Sequence, residues 1–406
     1  MKTTYRLRLF VGAMLFLAIA VAAAIGSFFD GGSLTVAYAA SDSDLTPEQQ
    51  LEQEVEQGID RLISGELEAF YAALEQKDSP TFGALLRAVI DGDFGASGAE
   101  RFRLILSAFL PDFKTVLASV ASIVMLGVLY AVLRQLNSGF IKESTSKVVY
   151  FAVFGAVLAI LTSVVIGAVS AADRVIDTAS NAVNLFFPVL ITLITAIGGG
   201  GTAGIFQTAG ASVANLAAGT IKAVVMPLFF ASVVFTVIGS ISPNVSLNKL
   251  SKAAKSLANW ILGGLFGMIA SFSALQGIVG VGIDSIGIRT AKFALSSYVP
   301  ILGGYLSDGF DIVMAGSLVL KNAFGFSAVV VLLGLTASSI VGVAVTGLVL
   351  RFAGGILQPL GDDRISGLLD SVGKSLNILV AMMAGMVFLV CFLLVLMISA
   401  FNGGAL

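Results

Sequence analysis

The stretch Asn377-Ile378-Leu379-Val380-Ala381-Met382-Met383-Ala384-Gly385-Met386-Val387-Phe388-Leu389-Val390-Cys391-Phe392-Leu393-Leu394-Val395-Leu396-Met397-Ile398-Ser399-Ala400-Phe401 contains no charge and no proline. It exceeds the roughly 20 residues that a helix needs to cross a hydrocarbon core of ~30 Å. A helix that is apolar on every side belongs in a large protein core or in a bilayer. Composition selects the bilayer. The chain of 406 residues is 57% hydrophobic and 12% charged, against about 45–50% and about 25% in soluble domains. Its mean hydropathy is +0.98. A soluble globular enzyme is excluded. Further apolar runs at about 113–133, 148–171, 222–242, 260–283 and 326–350 each reach spanning length. The fold class is all-α, a polytopic α-helical integral membrane protein with broken or re-entrant helices and a small extracytoplasmic helical module.

The breaks fall in two apolar regions, 183–221 and 286–324, interrupted by proline, glycine and charge. Each reads as two short spans or as a re-entrant pair that returns to its starting side. Pro188 and Pro300 are expected to precede interruptions and to free carbonyls that face a cavity. Gly198, Gly199, Gly200 and Gly201 suit a hinge, a re-entrant tip or a plain loop, since four glycines are costly within a helix. Charge deep in a bilayer costs ~2.5–3.5 kcal/mol on insertion scales, so such residues pair or face water. Asp308 and Asp311 share a helical face and, with Lys321, are candidates for an internal network beside an aqueous path. Lys222 is expected to snorkel at a helix end. Asp284, Arg289 and Lys292 sit near a boundary, and Gly263 and Gly267 form a GxxxG spacing suited to close helix contact.

The formal net charge of −2 is a cancellation. Residues 1–40 carry net +2, 41–112 net −10 and 113–406 net +6. Lys2, Arg6 and Arg8 precede an apolar run, and Ala37-Tyr38-Ala39 offers a cleavage site. Residues 1–39 therefore read as a signal peptide, with an uncleaved signal anchor as the alternative. Residues 40–110 read as an acidic extracytoplasmic helical module. Thr46, Pro47 and Gln49 suit a helix start, and Leu51, Val55, Ile59 and Leu62 begin an apolar stripe. Residues 111–406 form the polytopic domain. Its basic segments are 134–147 (Arg134, Lys142, Lys147), 246–258 (Lys249, Lys252, Lys255) and 351–376 (Arg351, Arg364, Lys374). All three are cytoplasmic under the positive-inside rule only if each broken region crosses an even number of times. Lys249, Lys252, Lys255, Arg364 and Lys374 are candidate contacts for a cytoplasmic partner or for anionic lipid headgroups. A parallel repeat at about 183–283 and 296–401 is suggested by Phe187-Pro188-Val189-Leu190 against Val299-Pro300-Ile301-Leu302; similar composition alone is the other reading.

The chain has no histidine and one cysteine, Cys391, so HExxH zinc chemistry and intrachain disulfides are excluded. Gly367 to Gly373-Lys374-Ser375 has one residue too many between its glycines for a phosphate-binding loop and follows no strand. No serine elbow is present. The expectation is a protein that is not an enzyme, with no catalytic residue, no metal, no cofactor and no nucleic-acid partner.

Several strings resemble the stage III sporulation protein AE family. They are Phe186-Phe187-Pro188-Val189-Leu190-Ile191-Thr192-Leu193, Ile288-Arg289-Thr290-Ala291-Lys292-Phe293 and Val299-Pro300-Ile301-Leu302-Gly303. Ser317-Leu318-Val319-Leu320-Lys321-Asn322-Ala323, Gln358-Pro359-Leu360-Gly361 and Lys374-Ser375 continue the likeness over about 110–400. The resemblance implies a multi-pass component, in the mother-cell membrane around the forespore, of a sporulation-specific transport or secretion-like channel. It implies other stage III A proteins as partners and stage II sporulation protein Q indirectly, and supplies no catalytic residues. Membrane lipids and a homo-oligomer complete the partner expectations. A stand-alone secondary transporter coupled through Asp308, Asp311 and Lys321, and a scaffold without a permeation path, remain as alternative readings.

Overall fold

A computed structural model of the chain describes residues 117–129 (save 119), 143–206, 210–241, 247–267, 303–360 and 363–399. The signal segment, the acidic module, residues 268–302 with Asp284, Arg289, Lys292 and Pro300, and the side chains of Asp308 and Asp311 lie outside the described residues. The described part is helical, with no strand. Helix α1 is Val120–Leu129. α2 (Glu143–Ala196), α3 (Gly200–Ile205) and α4 (Ala211–Thr220) follow, and a π-helical turn (Ile221–Val225) leads into α5 (Met226–Ile241). α6 covers 248–267. α7 (Gly303–Leu357) ends in a 3-10 turn (Gln358–Leu360), and α8 is Asp363–Ser399.

Four helical stretches are long and apolar enough to cross a membrane: Phe151–Ala196, Ala211–Ile241, Ile312–Leu357 and Arg364–Ser399. This is a multi-pass membrane architecture. α8 is its axis. In its most apolar window 72% of residues are buried, against 28–33% in the other three. That follows from a sequence apolar all round, which leaves no side to turn outward. α7, α2 and α5 pack around it.

Two helix boundaries differ from the sequence expectations. The run 148–171 and the start of the first broken region form one helix of 54 residues with Pro188 inside it. The second half of the other broken region likewise joins the 326–350 run in α7, of 55 residues. At a rise of 1.5 Å per residue each is about 80 Å long. Pro188 removes the amide that would reach the Asn184 carbonyl, but it does not break the helix. The break comes at Gly198. Its φ of 88° is left-handed, its amide donates to Thr195 O (2.9 Å), and the Gly199 amide donates to Ile194 O (2.9 Å). This is a Schellman cap, where only glycine avoids a Cβ penalty. Gly200 and Gly201 open α3, so the four glycines form a helix cap and a helix start.

After the cap the chain folds back. Phe187 lies against Gly210, Asn184 against Asn215, and Asp177 against Lys222. α2 and α4–α5 are thus antiparallel arms, and the region 183–221 supplies the ends of two long helices instead of a separate pair of crossings.

α7 and α8 form a second antiparallel hairpin with backbones in contact. A Cβ at Gly373 would sit 2.7 Å from the Gly347 carbonyl oxygen, and one at Gly354 would sit 2.9 Å from the Ser366 carbonyl oxygen. Ser366 Oγ donates to Gly354 O (2.7 Å) across the same contact. Small residues permit such close approach. Gly263 and Gly267, in contrast, have nothing within 4 Å of an added Cβ. Cys391 is buried in the core.

Gly373→Ala is expected to lower the thermal midpoint of the detergent-solubilised protein because α7 and α8 must part. Gly355→Ala and Gly367→Ala, which meet open space, are expected to raise stability by about 0.5–1 kcal/mol through helix propensity.

Candidate functional site

The outer half of α2 reverses the pattern expected of a lipid-facing helix. Between Arg174 and Thr195 its exposed residues are Arg174, Asp177, Asn181, Asn184, Pro188, Thr192 and Thr195. All are polar except Pro188. The spacing of three and four residues puts them on one face. The opposite face, with Val175, Ile176, Ala179, Val183, Phe186, Phe187 and Leu190, is buried and apolar. From Asp173 to Thr195 the stripe is about 33 Å long at 1.5 Å per residue, close to the ~30 Å hydrocarbon thickness. The exteriors of α5 (Phe230, Val234, Ile238) and α7 (Leu333, Val341, Leu348) are apolar.

α4 widens this polar face. Ser180 Oγ donates to Asn215 Oδ1 (2.9 Å), and Asn215 Nδ2 donates to Asn184 Oδ1 (3.2 Å). One end carries the charges. Lys222 Nζ lies 2.8 Å from Asp173 Oδ1 and 2.6 Å from Asp177 Oδ1, with side-chain exposures of 33%, 49% and 55% respectively. The π-helical turn adds a residue to the helical circuit at Lys222, a distortion common at functional sites. Toward the other end Thr192 Oγ1 donates to Pro188 O (2.9 Å) and Thr195 Oγ1 to Ile191 O (2.8 Å). These bonds satisfy the hydroxyls within the helix.

Lys222 is therefore paired to two carboxylates, partners that the sequence reading did not name. Asp173 and Asp177 went unnoticed because they fall between two apolar stretches, at what looked like a boundary. The available signal was the recurrence of Asp, Asn and Thr every three or four residues through an otherwise apolar segment.

Of the other expected network, the described side chains include that of Lys321. Lys321 is fully buried, and its Nζ donates to Ile398 O (2.8 Å), in the last turn of α8 where a cation complements the helix dipole. Asp308 and Asp311 lie on the same helix α7. Their side chains lie outside the described residues. Around Lys321, Phe186 meets Phe324 edge-on at 5.9 Å, and Ile398 packs against Gly325. Asn322 Oδ1 and Ser327 Oγ are buried there without a hydrogen-bond partner.

The basic candidates gather at the opposite end of α8. Lys255 Nζ donates to Ser371 O (3.1 Å), Lys374 pairs with Asp370, and Arg351 Nε lies 3.7 Å from Asp370 Oδ1. Lys249, Lys252, Arg364 and Lys374 are exposed. The segment 367–375 is continuous helix, which removes the phosphate-loop reading. Burial, reinforced by repulsion from Lys374, pushes Lys255 down to about 8 from 10.5, while Asp370 acts in the opposite direction.

The family model for stage III sporulation protein AE matches residues 81–401. The chain belongs to the stage III sporulation protein AE family. A stage III sporulation protein AE of Bacillus subtilis (strain 168) is 26% identical over 302 residues, covering 74% of this chain and 75% of that protein. No solved structure matches the chain. The matched range contains both the polar stripe and the basic end, so each lies in the part of the chain that defines the family.

Two outcomes test this geometry. Lys222→Met is expected to lower the thermal midpoint modestly, since it removes the cation bonded to both Asp173 and Asp177. Adding Asp173→Asn and Asp177→Asn to it is expected to restore most of the loss, read by Trp260 fluorescence during unfolding. For Lys255 the folded state binds fewer protons than the unfolded chain between its folded pKa of about 8 and 10.5. Stability is therefore expected to rise with pH across that window, and Lys255→Met is expected to abolish the rise.

Proposed function

We propose that this protein is the membrane component of a sporulation-specific transport or secretion-like channel linking mother cell and forespore. In this reading it resides in the mother-cell membrane around the forespore, with residues 40–110 on the extracytoplasmic side. It works with other stage III A proteins and indirectly with stage II sporulation protein Q, and contributes a path rather than a catalytic step. Family membership supplies the sporulation setting. The observation that carries the path is the outward polar face of α2, from Asp173 to Thr195. Lipid cannot solvate such a face, and polar groups at membrane depth mark water-filled routes or protein contacts. The basic end with Lys249, Lys252, Arg364 and Lys374 suits an anionic headgroup layer on the cytoplasmic side.

The combined substitution Asn181→Leu, Asn184→Leu and Thr192→Val replaces the middle of the face with apolar groups that lipid tolerates. With membrane levels of the protein unchanged, heat-resistant spore counts are expected to fall by at least about tenfold, the equivalent of ~1.4 kcal/mol in a limiting equilibrium. Wild-type counts would remove transport along this face from the account.

A further inference from the structure

We propose that the outer face of α6 binds an anionic phospholipid, with Lys249 and Lys252 on the headgroup phosphate and Trp260 against the acyl chain. The inference rests on the headgroup reading of the basic end given above and makes no use of the α2 face. It starts from a helix packed on one side. Ser251, Ala254, Ala258, Leu262 and Leu265 are buried, and their three- and four-residue spacing puts them on one face. Lys255 Nζ bonds the Ser371 carbonyl, and the Phe266 ring lies against Gly385. α6 therefore runs alongside α8 and in the same direction, and α8 carries one of the candidate spans.

The opposite face of α6 follows the order of polarity within a phospholipid. Lys249 and Lys252 come first, both exposed, and neither makes an ion pair among the described residues. Leu257, 52% exposed, and Trp260, 77% exposed, come next. Gly263, Gly264 and Gly267 follow, with nothing within 4 Å of an added Cβ, which leaves a smooth strip beyond the indole. A rise of 1.5 Å per residue puts Trp260 about 12 Å past Lys252 along the axis. A lipid whose phosphate meets the ammonium thus lays the upper part of its chain on the ring. Charge selects the lipid. On α6 and from Arg351 to Lys374, the described side chains carry six cations, Lys249, Lys252, Lys255, Arg351, Arg364 and Lys374, against one carboxylate, Asp370. Such an excess attracts anionic headgroups, and lysine beside tryptophan and leucine is the composition of helices that bind at the headgroup–acyl boundary. An acidic polypeptide answers the lysines, but the strip beyond them calls for hydrocarbon, and an anionic phospholipid carries both in one molecule.

Trp260 is the sole tryptophan, so its fluorescence reports its own neighbour. The full-length protein is reconstituted into phosphatidylcholine vesicles containing a minority of phosphatidylglycerol. Brominated chains, which quench an indole in contact, are carried either by the phosphatidylglycerol or by an equal amount of the phosphatidylcholine. The brominated phosphatidylglycerol is expected to quench at least about twofold more. Lys249→Gln with Lys252→Gln is expected to make the two equal, while quenching by phosphatidylcholine and the emission maximum stay unchanged and so report an intact fold. Equal quenching in the unsubstituted protein would overturn the preference for anionic lipid. Quenching by neither lipid would mean that protein covers the ring, and would overturn the site. An excess that survives the double substitution but falls with Arg364→Gln and Lys374→Gln would overturn the α6 site and keep the headgroup reading. The spore counts above read the channel proposal separately.

Discussion

Between α7 and α8 an added Cβ at Gly354 or Gly373 would come within 3 Å of a facing backbone carbonyl, and one at Gly347 would stand 3.1 Å from the Gly373 carbonyl oxygen. This contact sets much of the rest of the structure. It draws these two consecutive helices together along their length, so α8 is enclosed and its methionines and most of its leucines are buried. It also fixes the register that brings Arg351 to Asp370 and Lys321 to the last turn of α8. In a bilayer, helices gain little by hiding apolar surface from equally apolar lipid, and close packing of small residues takes over that role. The glycine-rich composition is the sequence counterpart of this constraint.

The all-helical class and the spans around α5, α7 and α8 were legible in the sequence, since runs of uncharged residues report membrane depth directly. Helix ends were less so. Pro188 reads as a break because proline costs a hydrogen bond, yet α2 runs through it while α4 packs beside it. The true end at Gly198 was within the marked glycine run, but its left-handed conformation depends on the chain turning back. Tertiary pairing was the least visible level. Lys222 lies 45 residues from Asp177, and hydropathy alone treats each of these charges as an isolated cost to be placed near a surface. The stripe on α2 escaped for a related reason, since averaging along a window erases a face that only a helical projection separates.

The candidate regions thus differ in kind. The Lys255–Ser371 contact and the Lys374–Asp370 pair are places where charge is tied to the backbone or to a neighbour at the edge of the apolar bundle. Lys321 is a cation sealed inside it. Among the described residues, the α2–α4 face alone combines charge, amides and hydroxyls with exposure over about 33 Å, and that combination separates it from ordinary structural polarity.

The 45-residue separation between Asp177 and Lys222 also has a meaning in time. At 5–20 residues per second, synthesis delivers the lysine about 2–9 s after the second carboxylate. During that interval α2 carries two acids with no partner from α4. The neutral, bonded seam exists only after the return arm has arrived, so α2 and α4–α5 mature as one insertion unit. A pause in translation between Gly198 and Lys222 would prolong the stage at which this protein is most exposed to quality control.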